Sequence, residues 1–238
     1  MTILLLGPRH IADEWFALCA GHGCLYYGRN LRTPLPDHVQ LLHAPDEAPS
    51  VDLVIDLNVR LTDRRLRLLA DIHSEFPSVP LLCNAAAVTA SELAARLGGA
   101  EVSPRLTGMA ALAGMSAAPM IEVCRPHGVA PTLDPVLQMF FASIGREIEM
   151  VADEIGMVYP RIIALIINEA VYAHQCGVAS QEDVDTAMTL GVNYPAGPFA
   201  LGARISWKHL HALLTALHTE LGDDRYRPAT LLKKFAQT

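Results

Sequence analysis

The chain has no CxxC pair, no apolar run long enough to cross a bilayer and no internal repeat. Five cysteines (Cys19, Cys24, Cys83, Cys124 and Cys176) are scattered and odd in number, which suits buried thiols in a reducing cytoplasm. Eighteen basic against 25 acidic residues leave a formal charge of −7, the wrong balance for a chain that binds phosphate backbones, so no nucleic-acid partner is expected. The first apolar run, Ile3 to Leu6, lacks a basic leader and stops at Gly7-Pro8, so neither a signal peptide nor a membrane segment is expected, and the expected location is cytoplasmic. What is present is 51% hydrophobic and 18% charged residues over 238 positions, enough for one large globular domain or two modest ones.

The first half alternates short β-like runs with helical patterns, which favours a parallel α/β sheet. Strands are expected at Thr2–Leu6, Cys24–Tyr27, Asp52–Leu57, Pro80–Cys83, Arg105–Gly108, Pro119–Cys124 and Glu147–Ala152. Residues 30–50, with Pro34, Pro36, Pro45 and Pro49, read as a loop. Thr62 is placed to cap a helix over 63–75, Thr89 and Glu92 form a capping box, and Asp134-Pro135 opens a helix stopped at Gly145. After Gly156 the pattern is wholly helical. Residues 161–175 are apolar on nearly every side, Ser180 and Asp183 resemble a second capping box, and Gly191 is expected to close that helix. Ser206 is read as the cap of a helix running to Gly222, and Pro228 as the first turn of a last helix. The boundary is therefore placed between residues 1–155 and 156–238.

The most specific stretch is Pro160 to Gly202, with Asn168-Glu169-Ala170, then Val184-Asp185-Thr186-Ala187-Met188, then Gly197-Pro198-Phe199. In that order these motifs resemble the C-terminal helical domain of the 3-hydroxyacyl-CoA dehydrogenases. Further matches by order and spacing are Val51–Asp56, Cys83–Ala94, Gly108–Leu112, Met120–Val123 and Gly156–Arg161. The resemblance implies a Rossmann-like doubly wound sheet in residues 1–155, an all-helical dimerisation domain in 156–238, and NAD as cofactor.

The turn Leu6-Gly7-Pro8-Arg9-His10-Ile11-Ala12 occupies the place of a dinucleotide fingerprint, with Gly7 as its first glycine and Ala12 at its tolerant third position. Arg9 replaces the middle glycine. A guanidinium there either obstructs the pyrophosphate or swings out to pair with a phosphate. Where an acid should hold the ribose the chain offers Gly28-Arg29-Asn30, and Arg29 is either a 2′-phosphate contact or a solvated loop residue. Asn84 completes the set of candidate cofactor contacts.

In the family a histidine removes the hydroxyl proton, a glutamate orients it, and a serine and an asparagine hydrogen-bond the reacting oxygens. The resemblance places Ala110 at the histidine position, the Ala85–Ala87 run at the serine position and Pro160 at the asparagine position. Only Glu122 is retained. Losing a positioned base typically forfeits about 10²–10⁴ in rate. Set among Met120, Ile121 and Val123, Glu122 is expected to be buried and poised as a base, or else to be a relic held by an arginine or by backbone amides. His209, His211 and His218 have the wrong helical spacing for joint ligation, and no metal site is expected.

Two readings follow. The leading one is a degenerate member of the family, a homodimer or a heteromer with an active paralogue through 156–238, supporting acyl-CoA metabolism. The alternative is an active NAD(P)-dependent oxidoreductase on a hydroxyacyl-CoA or related substrate, with Glu122 as its base.

Overall fold

The computed structural model describes residues 1–28, 33–115 and 118–237. They form two compact units, Met1–Met157 and Val158–Thr238.

The first unit contains β1 (Thr2–Leu6), α1 (Arg9–Leu18), β2 (Gly23–Tyr27), β3 (Val39–Leu41), β4 (Leu53–Asp56), α2 (Asp63–Glu75), β5 (Leu81–Asn84), α3 (Ala90–Leu97), β6 (Leu106–Met109), β7 (Met120–Cys124), α4 (Pro135–Ser143) and β8 (Glu147–Met150). The strands join in one sheet in the order β3-β2-β1-β4-β5-β6-β7-β8. Every pair is parallel except β6 with β7. The order 3-2-1-4-5-6 at its heart is that of a doubly wound Rossmann-like sheet, whose ligand edge lies at the carboxyl ends of the strands. Ile3–Leu6 and Leu53–Ile55 are fully buried, as strands covered on both faces must be.

Local signals explain most boundaries. Thr62 accepts the Arg65 amide and Thr89 accepts the Glu92 amide, each capping its helix. The Thr89 box is only half made, because the Glu92 carboxylate turns to Arg96 at 3.5 Å. Within the expected 30–50 loop, Val39–Leu41 instead adds an edge strand in register with Cys24–Tyr26. Its three residues fall between the flanking prolines, so the missing proline N–H groups do not interrupt the ladder.

The second unit contains α5 (Tyr159–Gln175), α6 (Gln181–Thr186), α7 (Pro198–Ile205), α8 (Trp207–Leu221) and α9 (Thr230–Phe235), with a π-helical turn at Ala187–Gly191 after α6. Asp185 explains the spacing between the two motifs that flank this turn. Its carboxylate accepts the Phe199 amide at 2.7 Å and the Ala200 amide at 3.0 Å, capping α7. A Cβ at Gly197 would lie 2.1 Å from Asp185 Cγ, so only glycine fits there.

The helical run that follows Ser180 ends at Gly191, as expected, with Asn193 in the left-handed conformation just beyond it at φ 56°. Two expectations for this unit are corrected, at Ser206 and at Pro228. Ser206, at φ 87°, makes no side-chain cap; α8 starts where the Trp207 ring packs into space that any Cβ at Gly202 would fill. Pro228 precedes the start of α9, whose N-cap Ala229 donates its amide to the Asn168 side chain at 2.9 Å. On α5, Ile163, Ala164, Ile167 and Val171 are buried within the chain, and Ile162 is 53% exposed.

Candidate functional site

The candidate residues of the first unit gather at the carboxyl edge of the sheet. Gly7 leaves β1 at φ 129°, and a Cβ on it would meet Leu57 Cβ at 3.1 Å and the Asn58 amide nitrogen at 3.2 Å. The turn thus presses β1 against the exit of β4. Ala12 is fully buried one turn into α1 and donates its amide to the Pro8 carbonyl at 3.1 Å. Arg29 lies outside the described residues.

Arg9 does not extend freely into solvent. Its Nε donates to Asp13 at 2.5 Å, Nη1 to the Thr33 carbonyl at 3.0 Å and Nη2 to the Pro34 carbonyl at 2.9 Å, with the guanidinium 5.4 Å from the centre of the Phe16 ring. Asn84 is fully buried and equally committed. Its Nδ2 donates to the carbonyls of Ala111, at 2.5 Å, and Leu57, at 3.3 Å, while its Oδ1 accepts the Ala86 amide at 3.1 Å. One side chain therefore pins the exits of β4, β5 and β6.

Glu122 stands on β7. The antiparallel register sets Met109 against Val123, and one step further the Ala110 amide donates to the Glu122 carbonyl at 3.0 Å. Opposed residues in an antiparallel pair share a face, with Cα atoms about 5.5 Å apart when hydrogen-bonded. Ala110 and Glu122 are thus side by side. The strand alternation corrects the surroundings expected for Glu122: Ile121 and Val123 are buried on the opposite face, and the carboxylate is half-buried between Met120, 46% exposed, and the buried Cys124. The Ala85–Ala87 run and Ala110–Ala113 are buried. Pro160 is buried in the first turn of α5, in the second unit.

Two buried groups were missed in the sequence. Asp56 at the end of β4 and Arg65 on α2 form an ion pair at 2.7 Å with side chains 0% and 1% exposed. Asp56 also accepts from Asn58, and Arg65 Nη2 donates to the Asn84 carbonyl at 2.7 Å. Asp153, just past β8, accepts the Ala90 and Ser91 amides at 2.7 and 2.8 Å and so caps α3. An aspartate in a strand and an arginine early in a helix were the only sequence signals for the first pair. Nothing local marked the second, 62 residues away. Cys124, hydrogen-bonded to Asp153, and Cys83 have thiols pushed up by burial, with nearby carboxylate charge adding to it. Among the described residues no group of three or more His, Cys, Asp or Glu side chains converges on a metal position, and no helix is long and apolar enough to cross a membrane.

A doubly wound sheet with this edge, followed in the chain by a helical unit, defines a Rossmann-like protein with an added helical domain. Residues 156–238 match the family described as 3-hydroxyacyl-CoA dehydrogenase, C-terminal domain. Over 92 residues the chain is 50% identical to 3-hydroxyadipyl-CoA dehydrogenase of Escherichia coli K12, a match that covers 39% of this chain and only 19% of that protein. It is 28% identical over 204 residues to a probable 3-hydroxybutyryl-CoA dehydrogenase of Bacillus subtilis, covering 84% of this chain and 69% of that one. The crystal structure of (S)-3-hydroxybutyryl-CoA dehydrogenase from Ralstonia eutropha has the same fold, with a TM-score of 0.75 at 23% identity over 98% of this chain and 92% of that one. Residues 156–238 thus match that family's C-terminal domain, and the longer match shows that the chain is similar to 3-hydroxyacyl-CoA dehydrogenases along most of its length.

Proposed function

We propose that this chain is a catalytically degenerate member of the 3-hydroxyacyl-CoA dehydrogenase family. In this reading it works by association in acyl-CoA metabolism, as a homodimer or as the partner of an active paralogue. The observation that carries the reading is the pairing of Ala110 with Glu122 across β6 and β7. The carboxylate that would orient a general base has a methyl group beside it, and a methyl group moves no proton. The position expected for the polar clamp in the second unit is Pro160, which has no side-chain donor and no backbone N–H. The alanines at 85–87 offer no hydroxyl either. Association is supported by apolar surface on the second unit, where Val158 is 50%, Tyr159 45% and Ile162 53% exposed.

The test is an assay of the purified chain for NAD(H)-linked turnover of 3-hydroxyacyl- and 3-oxoacyl-CoA. The expected rate lies at least about a hundredfold below that of an active family member. A rate within about tenfold of one overturns the reading. Light scattering at micromolar concentration, with and without a coexpressed active paralogue, is expected to show a dimer or a mixed complex. A monomer in both samples overturns the associative half.

A further inference from the structure

Dinucleotide binding at a β–turn–α edge has three requirements: bare backbone at the middle glycine, an open approach to the turn, and a carboxylate at the end of the second strand for the ribose. The chain meets none of them, and its own side chains fill the space. We infer that Tyr26, Arg9 and Glu14 close the nucleotide edge of the first unit, so that NAD and NADP do not bind there. This deepens the reading of a degenerate family member and rests on it.

At the exit of β2, the fully buried Tyr26 donates its hydroxyl to the Gly7 carbonyl at 2.9 Å. A Cβ built on Gly28 would lie 2.0 Å from that hydroxyl and 2.7 Å from the Gly7 carbonyl oxygen. No side chain can start from position 28 while Tyr26 keeps this place, and neither Tyr27 nor Gly28 supplies a carboxylate. The ribose partner is replaced by a phenol already bonded to the fingerprint turn.

At the turn itself, Arg9 puts a side chain where the backbone must stay bare. All three guanidinium nitrogens are engaged, by Asp13, Thr33 and Pro34. A phosphate would have to displace one carboxylate and two carbonyls to recruit it. The side chain instead straps the connection after β2 onto α1.

A third closure comes from the connection after β6. The Gly114 amide donates to Glu14 at 2.6 Å, so this segment reaches the helix that joins β1 to β2. Since β4 and β5 lie between β1 and β6 in the sheet, the connection spans the edge along which a dinucleotide would extend.

Calorimetric titration with NAD, NADH and NADPH tests the inference on the wild-type chain and on the variant Arg9→Gly/Tyr26→Val/Gly28→Asp. That variant restores the glycine spacing, vacates the phenol and supplies the acid, whose Cβ, 2.7 Å from the Gly7 carbonyl oxygen, requires the Gly7 turn to shift. Wild type is expected to bind with a dissociation constant above about 1 mM, and the variant at least about tenfold more tightly. Wild-type binding of any of the three below about 100 µM overturns the inference. So does a triple variant that is folded by circular dichroism yet binds no better than wild type. If the triple variant does not fold, Arg9→Gly and Gly28→Asp/Tyr26→Val are titrated separately under the same criteria. Binding without turnover overturns this inference alone, whereas NAD-linked turnover overturns the degenerate reading as well.

Discussion

Ala110 and Glu122 face each other across β6 and β7, joined by a hydrogen bond from the Ala110 amide to the Glu122 carbonyl at 3.0 Å. They are twelve positions apart in the chain, and the antiparallel pairing of β7 with β6 makes them neighbours. An imidazole at the first position would stand beside the carboxylate at the second. The same register puts a methyl group at the position opposite Glu122.

That geometry predicts the behaviour of Ala110→His. The neighbouring carboxylate favours the protonated ring and opposes the lowering that burial imposes, so the introduced imidazole should titrate higher with Glu122 than without it. Adding Glu122→Gln should lower it again. Proton NMR of the ring across pH 5–9 checks both, and a ring that ignores Glu122→Gln would show that the two side chains do not share a face. Overpacking at this buried position should cost about 1–3 kcal/mol in urea unfolding.

Arg65→Met should be among the most damaging single changes. It strips Asp56 of its cation in a fully buried setting, which typically costs about 3–5 kcal/mol. The double variant Asp56→Asn/Arg65→Met should recover a large part of that loss, because no unpaired charge then remains. Urea midpoints of the three variants decide it, and a double variant no better than Arg65→Met would count against a charge-based cause.

Tyr26 links stability to alkaline pH. Burial pushes its hydroxyl up to about 12 from an ordinary 10. The folded state therefore holds the proton more tightly than the unfolded chain. Stability from this group is complete below pH 10 and falls as pH rises from about 10 to about 12. Tyr26→Phe should remove that fall and cost about 0.5–1.5 kcal/mol at neutral pH through the lost bond to Gly7. Chemical denaturation at pH 8 and pH 11 measures both effects.

Asp185→Ala should free two amides at the start of α7 and cost about 0.5–2 kcal/mol. Gly197→Ala attacks the same joint by collision and should destabilise with Asp185 intact. The steric part of its cost should persist in the Asp185→Ala background, where the Cβ of residue 185 still lies 2.3 Å from the added methyl group, and shrink only in the Asp185→Gly background. Thermal unfolding of the single and double variants reads the coupling.

Much of the fold was legible in local chemistry. Thr62, Thr89, Ser180 and Asp134 each sit ahead of a helix and accept an amide of its first turn. Ser206 has the right identity in the wrong conformation, because Trp207 packing on Gly202 dictates where that helix begins. The three-residue strand at Val39–Leu41 was invisible, since too few residues alternate there to show a period and prolines crowd both sides. Of the candidate site, Gly7, Ala12, Asn84 and Glu122 were readable by position along the motifs. What each side chain does was not. Asn84 has the polarity of a ligand contact but spends it on three loops.

The sequence alone determined most of the strands and helices and most of their caps, because these depend on residues within a turn or two of each other. The tertiary structure decided the rest: that Ala110 lies beside Glu122, that Asp56 meets Arg65 out of water, that Asp153 caps a helix 62 residues earlier, and that Arg9 turns back to hold Thr33 and Pro34. Each of these contacts joins distant stretches of chain. Sheet register and close packing choose the partners, and neither is written in the pattern around any one residue.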